Sequence, residues 1–167
     1  MTTDLLAQMA RTPSAMEVRE LLSGLLGRDV EIAPADPFTG DSAIGSTFAV
    51  YVDDQNTPRV VAVLDFALSA YAGAAVGLLP AGGASDAIDE GELTPMLKEN
   101  LSEVLNVMAA LLNENGRPHT RLADVHHVDA WPNPQVLADA ATTGRRLDLT
   151  ITIPLYGKGR MSVVGVR

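Results

Sequence analysis

A chain of 167 residues is the size of one ordinary domain, and with almost half its residues apolar it can bury a core without covalent staples. It has no cysteine, which excludes disulfides, thiolate catalysis and cysteine-type zinc sites. The formal net charge is −9, and basic residues gather only at Arg145-Arg146 and around Lys158 and Arg160, so nucleic acid and anionic membranes are poor partners. A protein partner with a basic rim remains open.

The opening residues, Met1-Thr2-Thr3-Asp4-Leu5-Leu6, have no basic region followed by an apolar run, so no secretory signal is expected. Residues 2–11 suit a short helix ending before Pro13. Ser14 can cap a second helix, with Glu17 as capping-box partner and Gly27 at its end. Residues 28–33 alternate, with Val30 and Ile32 on one face, and predict a half-buried strand. Residues 34–45 are rich in Pro, Asp and Gly and predict a loop, acidic between Asp36 and Asp41. Residues 46–53 and 58–66 predict a hairpin around the turn 54–57.

Residues 68–79 predict a helix of small residues whose glycines require close packing to offset their cost. The apolar stretch 60–80 carries Asp65 and is a strand followed by a helix, not a membrane span. Residues 80–91 predict a loop with one helical turn near Ser85-Asp86. Thr94 as cap, Pro95 at the first helical position, Gly116 past the end and Pro118 beyond predict one long helix over 95–115. A strand at about 120–131, a short helix at 133–142 and strands at 145–154 and 159–166, turning at 156–159, complete the chain. Trp131 is expected in the core or at its rim. Strands and helices do not alternate as βαβ units, so the fold class is α+β, a largely antiparallel sheet packed against long helices. Residues 1–27 form an N-terminal helical segment and 28–167 the main body of a single domain. Free sheet edges make a homodimer a natural expectation, and the cytoplasm is the expected location.

At about 100° per residue, Leu97, Leu101, Val104, Leu105, Met108, Leu111 and Leu112 fall on one stripe of the long helix, a core face. Glu99, Glu103, Asn106, Ala110 and Asn113 run at spacings of 4, 3, 4 and 3 on the opposite side. Glu103 and Asn106 are three apart and therefore neighbours. Asn106 is a weak helix former in mid-helix, and Val107 and Ala110 beside it are apolar and small. Such a face is flat enough for another protein to approach, although glutamates and asparagines on a helix are most often simply solvated.

The stretch from Glu99 to Ala110, with Glu103, two spacers and Asn106 before an apolar run, resembles the signature helix of the CheC/CheX family, phosphatases of response-regulator receivers. The order of elements over about residues 45–165 follows the same family, in its CheX-like form with a single signature helix. Glu99 stands where the family often has Asp or Ser, and Ala110 where it has glycine. The resemblance implies a phosphatase acting on the aspartyl phosphate of a CheY-like receiver. It implies that Asn106 orients the attacking water and Glu103 docks the receiver. Glu99, Val107, Ala110 and Asn113 would complete the docking face. It implies no cofactor on this chain, with Mg²⁺ held by the receiver. A non-catalytic module of the same fold, binding a receiver or a flagellar-switch component, is the alternative; a coincidental Glu-x-x-Asn in an unrelated small domain is the third reading.

Competing chemistry is thin. His126 and His127 are adjacent in a predicted strand, so they face opposite ways and cannot share a metal. His119 lies in a loop, and no third ligand is suitably spaced. The glycines between Gly73 and Gly83 lack the Lys-Ser/Thr of a phosphate loop, and no nucleophile-elbow pattern occurs.

Overall fold

The computed structural model describes residues 12–40, 45–113 and 119–166. The predicted helix at 2–11, residue 41 of the acidic loop and the helix-terminating Gly116 and Pro118 lie outside them. In chain order the elements are α1 (Ala15–Leu26), β1 (Glu31–Pro34), β2 (Ser46–Val52), β3 (Pro58–Asp65), α2 (Phe66–Val76) and α3 (Ala81–Glu90). There follow α4 (Pro95–Leu112), β4 (Arg121–His126), α5 (Pro134–Ala140), β5 (Arg146–Ile153) and β6 (Gly157–Gly165). The six strands form one sheet in the order β1-β5-β6-β3-β2-β4, every neighbouring pair antiparallel. This is the α+β architecture the sequence predicts.

Strands β2 and β3 are buried on both faces. Ala49, Tyr51, Val60, Ala62 and Leu64 join the larger core with α1, α2, α3 and α4. Phe48, Val50, Val52, Val61 and Val63 join a smaller one with Phe38 and with Val136 and Ala140 of α5. Strands covered on both sides need no polar alternation, which is why β2 and β3 are nearly continuous apolar runs. Helix α1 begins as the capping box requires: Glu17 N donates to Ser14 Oγ (3.1 Å) and Ser14 N to the Glu17 carboxylate (3.3 Å). It ends on Gly27 in the left-handed conformation (φ 64°). Val18, Leu22 and Leu26 enter the main core.

Helix α2 has almost no polar face, because it lies beneath α4 and β6. A Cβ at Gly73 would stand 2.7 Å from the Leu97 carbonyl oxygen, so this position lets α2 and α4 approach to backbone contact.

Several boundaries differ from the sequence expectation. Residues 81–90 are a helix rather than a loop. Gly82 and Gly83 fall in its first turn, while Ala84 and Ala87 are buried and Gly91 closes it with φ 70°. Helix α4 stops at Leu112 because the Asn113 side chain turns back to the following segment. Strand β1 starts at Glu31, and β4 ends at His126 because the chain folds into a turn in which Ala130 N donates to His127 O (2.8 Å). The last hairpin turns at residues 154–156, with Leu155 at φ 74°, so β6 already begins at Gly157. Trp131 is neither core nor shielded: it is 67% exposed.

Candidate functional site on the outer face of the long helix

Helix α4 is capped by Thr94, whose Oγ1 accepts from Leu97 N (3.2 Å), and carries Pro95 at its first position. Its buried residues are Leu97, Leu101, Val104, Leu105, Met108, Leu111 and Leu112, the predicted core stripe in full. Tyr51 of β2 fixes the rotation of the helix: its hydroxyl donates to the Leu105 carbonyl at 2.6 Å. Burial pushes this phenol far above its ordinary range, so it stays a donor at any working pH. Asn106 follows Leu105 immediately and is carried to the opposite side.

That opposite side is open. Glu99, Glu103, Asn106, Val107, Ala110 and Asn113 are all exposed, Val107 at 40%. Met96 extends the same stripe at the N-terminal end. Among the described residues, the side chains of Glu99, Glu103 and Asn106 make no hydrogen bond or ion pair. Glu103 and Asn106, three residues apart, have Cβ atoms about 5–6 Å from each other. The stripe from Glu99 to Asn113 is about 21 Å long at helical rise. Asn113 differs from the rest: its amide donates to Thr120 O (2.9 Å) and Ala109 O (3.0 Å), and its oxygen accepts from Thr120 N (2.7 Å). It closes the helix as well as lining the face.

Both flanks of the stripe are tied down by residues the sequence analysis did not single out. On one side Asn100 Nδ2 donates to Gly73 O of α2 (3.0 Å). On the other, the turn after β4 is fastened to α4: Lys98 Nζ meets the Asp129 carboxylate at 2.5 Å, and Ser102 Oγ lies 3.4 Å from His127 Nε2. The hydrogen bond from Lys98 holds the Asp129 carboxyl below its ordinary range. His127 Nδ1 is buried without a partner. Burial, and then the charge of Lys98, hold the His127 imidazole below its ordinary 6.5, with Asp129 opposing. No sequence signal marks these contacts, which join residues 25 to 31 positions apart.

A histidine kept neutral in the fold binds fewer protons than in the unfolded chain. Its contribution to stability is therefore complete above about pH 6.5 and is lost as pH falls through that value. Thermal melts at about pH 7 and about pH 5 test this. His127→Gln should show a smaller drop in Tm over that interval than the wild type; equal drops would mean that His127 is not the group responsible.

Among the described residues, no three His, Cys, Asp or Glu side chains gather as a metal site. His119 pairs instead with Asp54 (2.9 Å). No helix among them is long and apolar enough to cross a membrane. The site thus presents an uncharged amide and a carboxylate side by side on an exposed helix face.

The fold, a six-stranded antiparallel sheet with helices on each side, is one already seen in solved structures. It is the fold of the FliM middle domain and of FliY. No family model matches the chain, and no curated protein matches its sequence. The FliM middle domain of H. pylori superposes with a TM-score of 0.58 at 12% identity, covering 91% of this chain and 84% of that one. FliY of Thermotoga maritima gives 0.50 at 17% identity, over 88% and 81%. CheX from Borrelia burgdorferi, in its complex with CheY, BeF3 and Mg, is a looser likeness, with a TM-score of 0.47 at 9% identity over 89% and 92%. The fold assignment rests on the first two.

Proposed function

We propose that this protein binds a phosphorylated CheY-like receiver on the outer face of α4 and hastens loss of its aspartyl phosphate. The observation that carries the reading is the placement of Glu103 and Asn106: exposed, unpartnered among the described residues, and one turn apart on a helix whose rotation Tyr51 fixes. An acyl phosphate is already activated, and the receiver supplies its own metal and charge neutralisation. What remains is to hold a water in line with the scissile bond. The Asn106 carboxamide suits this, because its oxygen accepts a proton from water, its nitrogen donates, and neither ionises. The water oxygen bonds to phosphorus, the bond from phosphorus to the aspartyl oxygen breaks, and the aspartate leaves as carboxylate. The water proton passes to the departing phosphate or to solvent. Glu103 pairs with a cationic group at the receiver's phosphorylation site and sets the docking angle.

A second reading keeps the docking and removes the chemistry. It is favoured by Ala110, whose methyl group stands on the stripe where the resembling family has glycine. Decay of a radiolabelled phosphoreceiver with and without the protein separates the two. Acceleration supports the phosphatase reading, and binding without acceleration supports the docking module. Neither binding nor acceleration across a panel of receivers would remove both. The same reading includes pairing of two copies through a free sheet edge, β1 or β4; a monomer mass by sedimentation would remove that part.

A further inference from the structure

Trp131 is the single tryptophan of the chain, and it is 67% exposed. A tryptophan can bury 150–250 Å² and usually does so in a core; this one was available to the core and stands outside it. Its backbone is not free. Immediately before it, the turn ends with Ala130 N donating to His127 O, and that turn is fastened to α4 through Lys98–Asp129 and Ser102–His127. Immediately after it, Pro132 is buried and Asn133 caps α5, Oδ1 accepting from Val136 N (3.0 Å). Trp131 therefore sits where the chain passes from the α4 layer around the β4 edge to the α5 layer, held from both directions. An exposed indole on a backbone held from both sides is costly in water and brings little backbone entropy loss on binding, the profile of an interface anchor.

Its position is continuous with the α4 face. The turn that carries it is bonded to Lys98 and Ser102, on the flank of the stripe and next in sequence to Glu99 and Glu103. Lys98 and Asn106 are about 12 Å apart along the helix axis. A protein–protein interface of ordinary size covers roughly 800 Å² per partner, a patch roughly 30 Å across, so one docked domain spans both Asn106 and the turn. Met96, 56% exposed, lies at the same end of the stripe. Lys98 is paired with Asp129, so Glu99 and Glu103, which have no ion-pair partner among the described residues, make the face acidic.

We infer that Trp131 is the hydrophobic anchor of the receiver-docking surface, which extends from the outer stripe of α4 onto the 127–131 turn. The occupant is the phosphorylated receiver, a partner with a cationic rim around its phosphoaspartate site and an apolar depression beside it. The inference rests on the receiver reading above. Trp131 is a positioning residue: it acts on affinity and orientation, not on the water.

Because the chain has one tryptophan, incorporation of 5-fluorotryptophan gives a single fluorine resonance. Adding beryllofluoride-activated receiver should shift or broaden that line, and unactivated receiver should do so less. Trp131→Ala should weaken binding of the activated receiver by about tenfold or more, raise KM and leave kcat near wild type, while Trp131→Phe restores most of the affinity. If wild type binds the receiver but the resonance does not move and Trp131→Ala binds equally well, the anchor is refuted and the receiver reading survives. If wild type binds no activated receiver, both fall together.

Discussion

Asn106→Ala should return phosphoreceiver decay to the unassisted rate while the protein folds and melts as before. Asn106 is exposed, and its side chain makes no bond among the described residues, so its removal opens no cavity and orphans no partner. Alanine is the better helix former by several tenths of a kcal/mol, so Tm should hold or rise slightly. On the chemical side, an acceleration of about a hundredfold corresponds to only about 2.7 kcal/mol of barrier, within reach of one oriented amide. The loss should therefore be nearly complete and should fall on kcat, with binding of the beryllofluoride-activated receiver kept. Asn106→Gln retains the carboxamide but moves it one methylene outward, and should recover little, because positioning is the whole of the effect. Equal decay rates for wild type and Asn106→Ala would remove Asn106 from the chemistry.

The second large effect lies on the other side of the molecule and is purely structural. The Arg146 side chain is 9% exposed. It spans Asp148 (2.9 Å) and the carbonyls of Ala140 (3.1 Å), Thr142 (2.8 Å) and Phe38 (3.2 Å). Asp148 in turn accepts from Ser162 Oγ (2.5 Å), and Phe38 N donates to Ser162 Oγ (3.3 Å). One guanidinium thus ties the end of α5, the 35–40 loop and strand β5 together. Burial alone would raise the Asp148 pKa, but the hydrogen bonds from Arg146 and Ser162 outweigh it and hold the carboxyl below its ordinary 3.8. Its contribution is present above about pH 3.8 and is lost as pH falls further.

Arg146→Ala takes the cationic partner from the Asp148 carboxylate and the guanidinium donor from three carbonyls. It should cost about 3–5 kcal/mol, a fall in Tm on the order of 10 °C for a chain of this size. Arg146→Met with Asp148→Leu, which removes both charges, should recover much of that loss. A single variant melting within a degree or two of wild type would show that the cluster contributes little. Asn106→Ala and Arg146→Ala together dissociate function from fold: one loses activity at unchanged Tm, the other loses Tm.

What was legible in the sequence was local. The α4 core stripe could be read residue by residue because heptad-like spacing, a threonine cap and a proline at the first position all agree. The capping box at Ser14 and Glu17 and the 46–65 hairpin followed from equally local rules. Helix α3 was obscured by Gly82-Gly83, whose low propensity is outweighed once Ala84 and Ala87 are buried. The long strand expected at 120–131 was cut short by a tertiary event, the fastening of residues 127–129 to α4. The supports of the site share that character: Tyr51 on Leu105 and His127 beside Ser102 join residues 54 and 25 positions apart. A core or rim position is the expectation for Trp131 because that is where tryptophan usually goes, and only the path of the chain around the β4 edge places it outside.

The most direct test of the central claim uses the absence of cysteine. Ala110→Cys puts one thiol on the α4 stripe, a turn from Asn106, and Ala141→Cys puts one on the exposed surface just past α5 in the opposite layer. With beryllofluoride-activated receiver present, modification at position 110 should slow in proportion to the fraction bound, while modification at 141 continues at its free rate. Equal rates at position 110 with and without bound receiver would contradict the account, because the receiver would then be seated elsewhere.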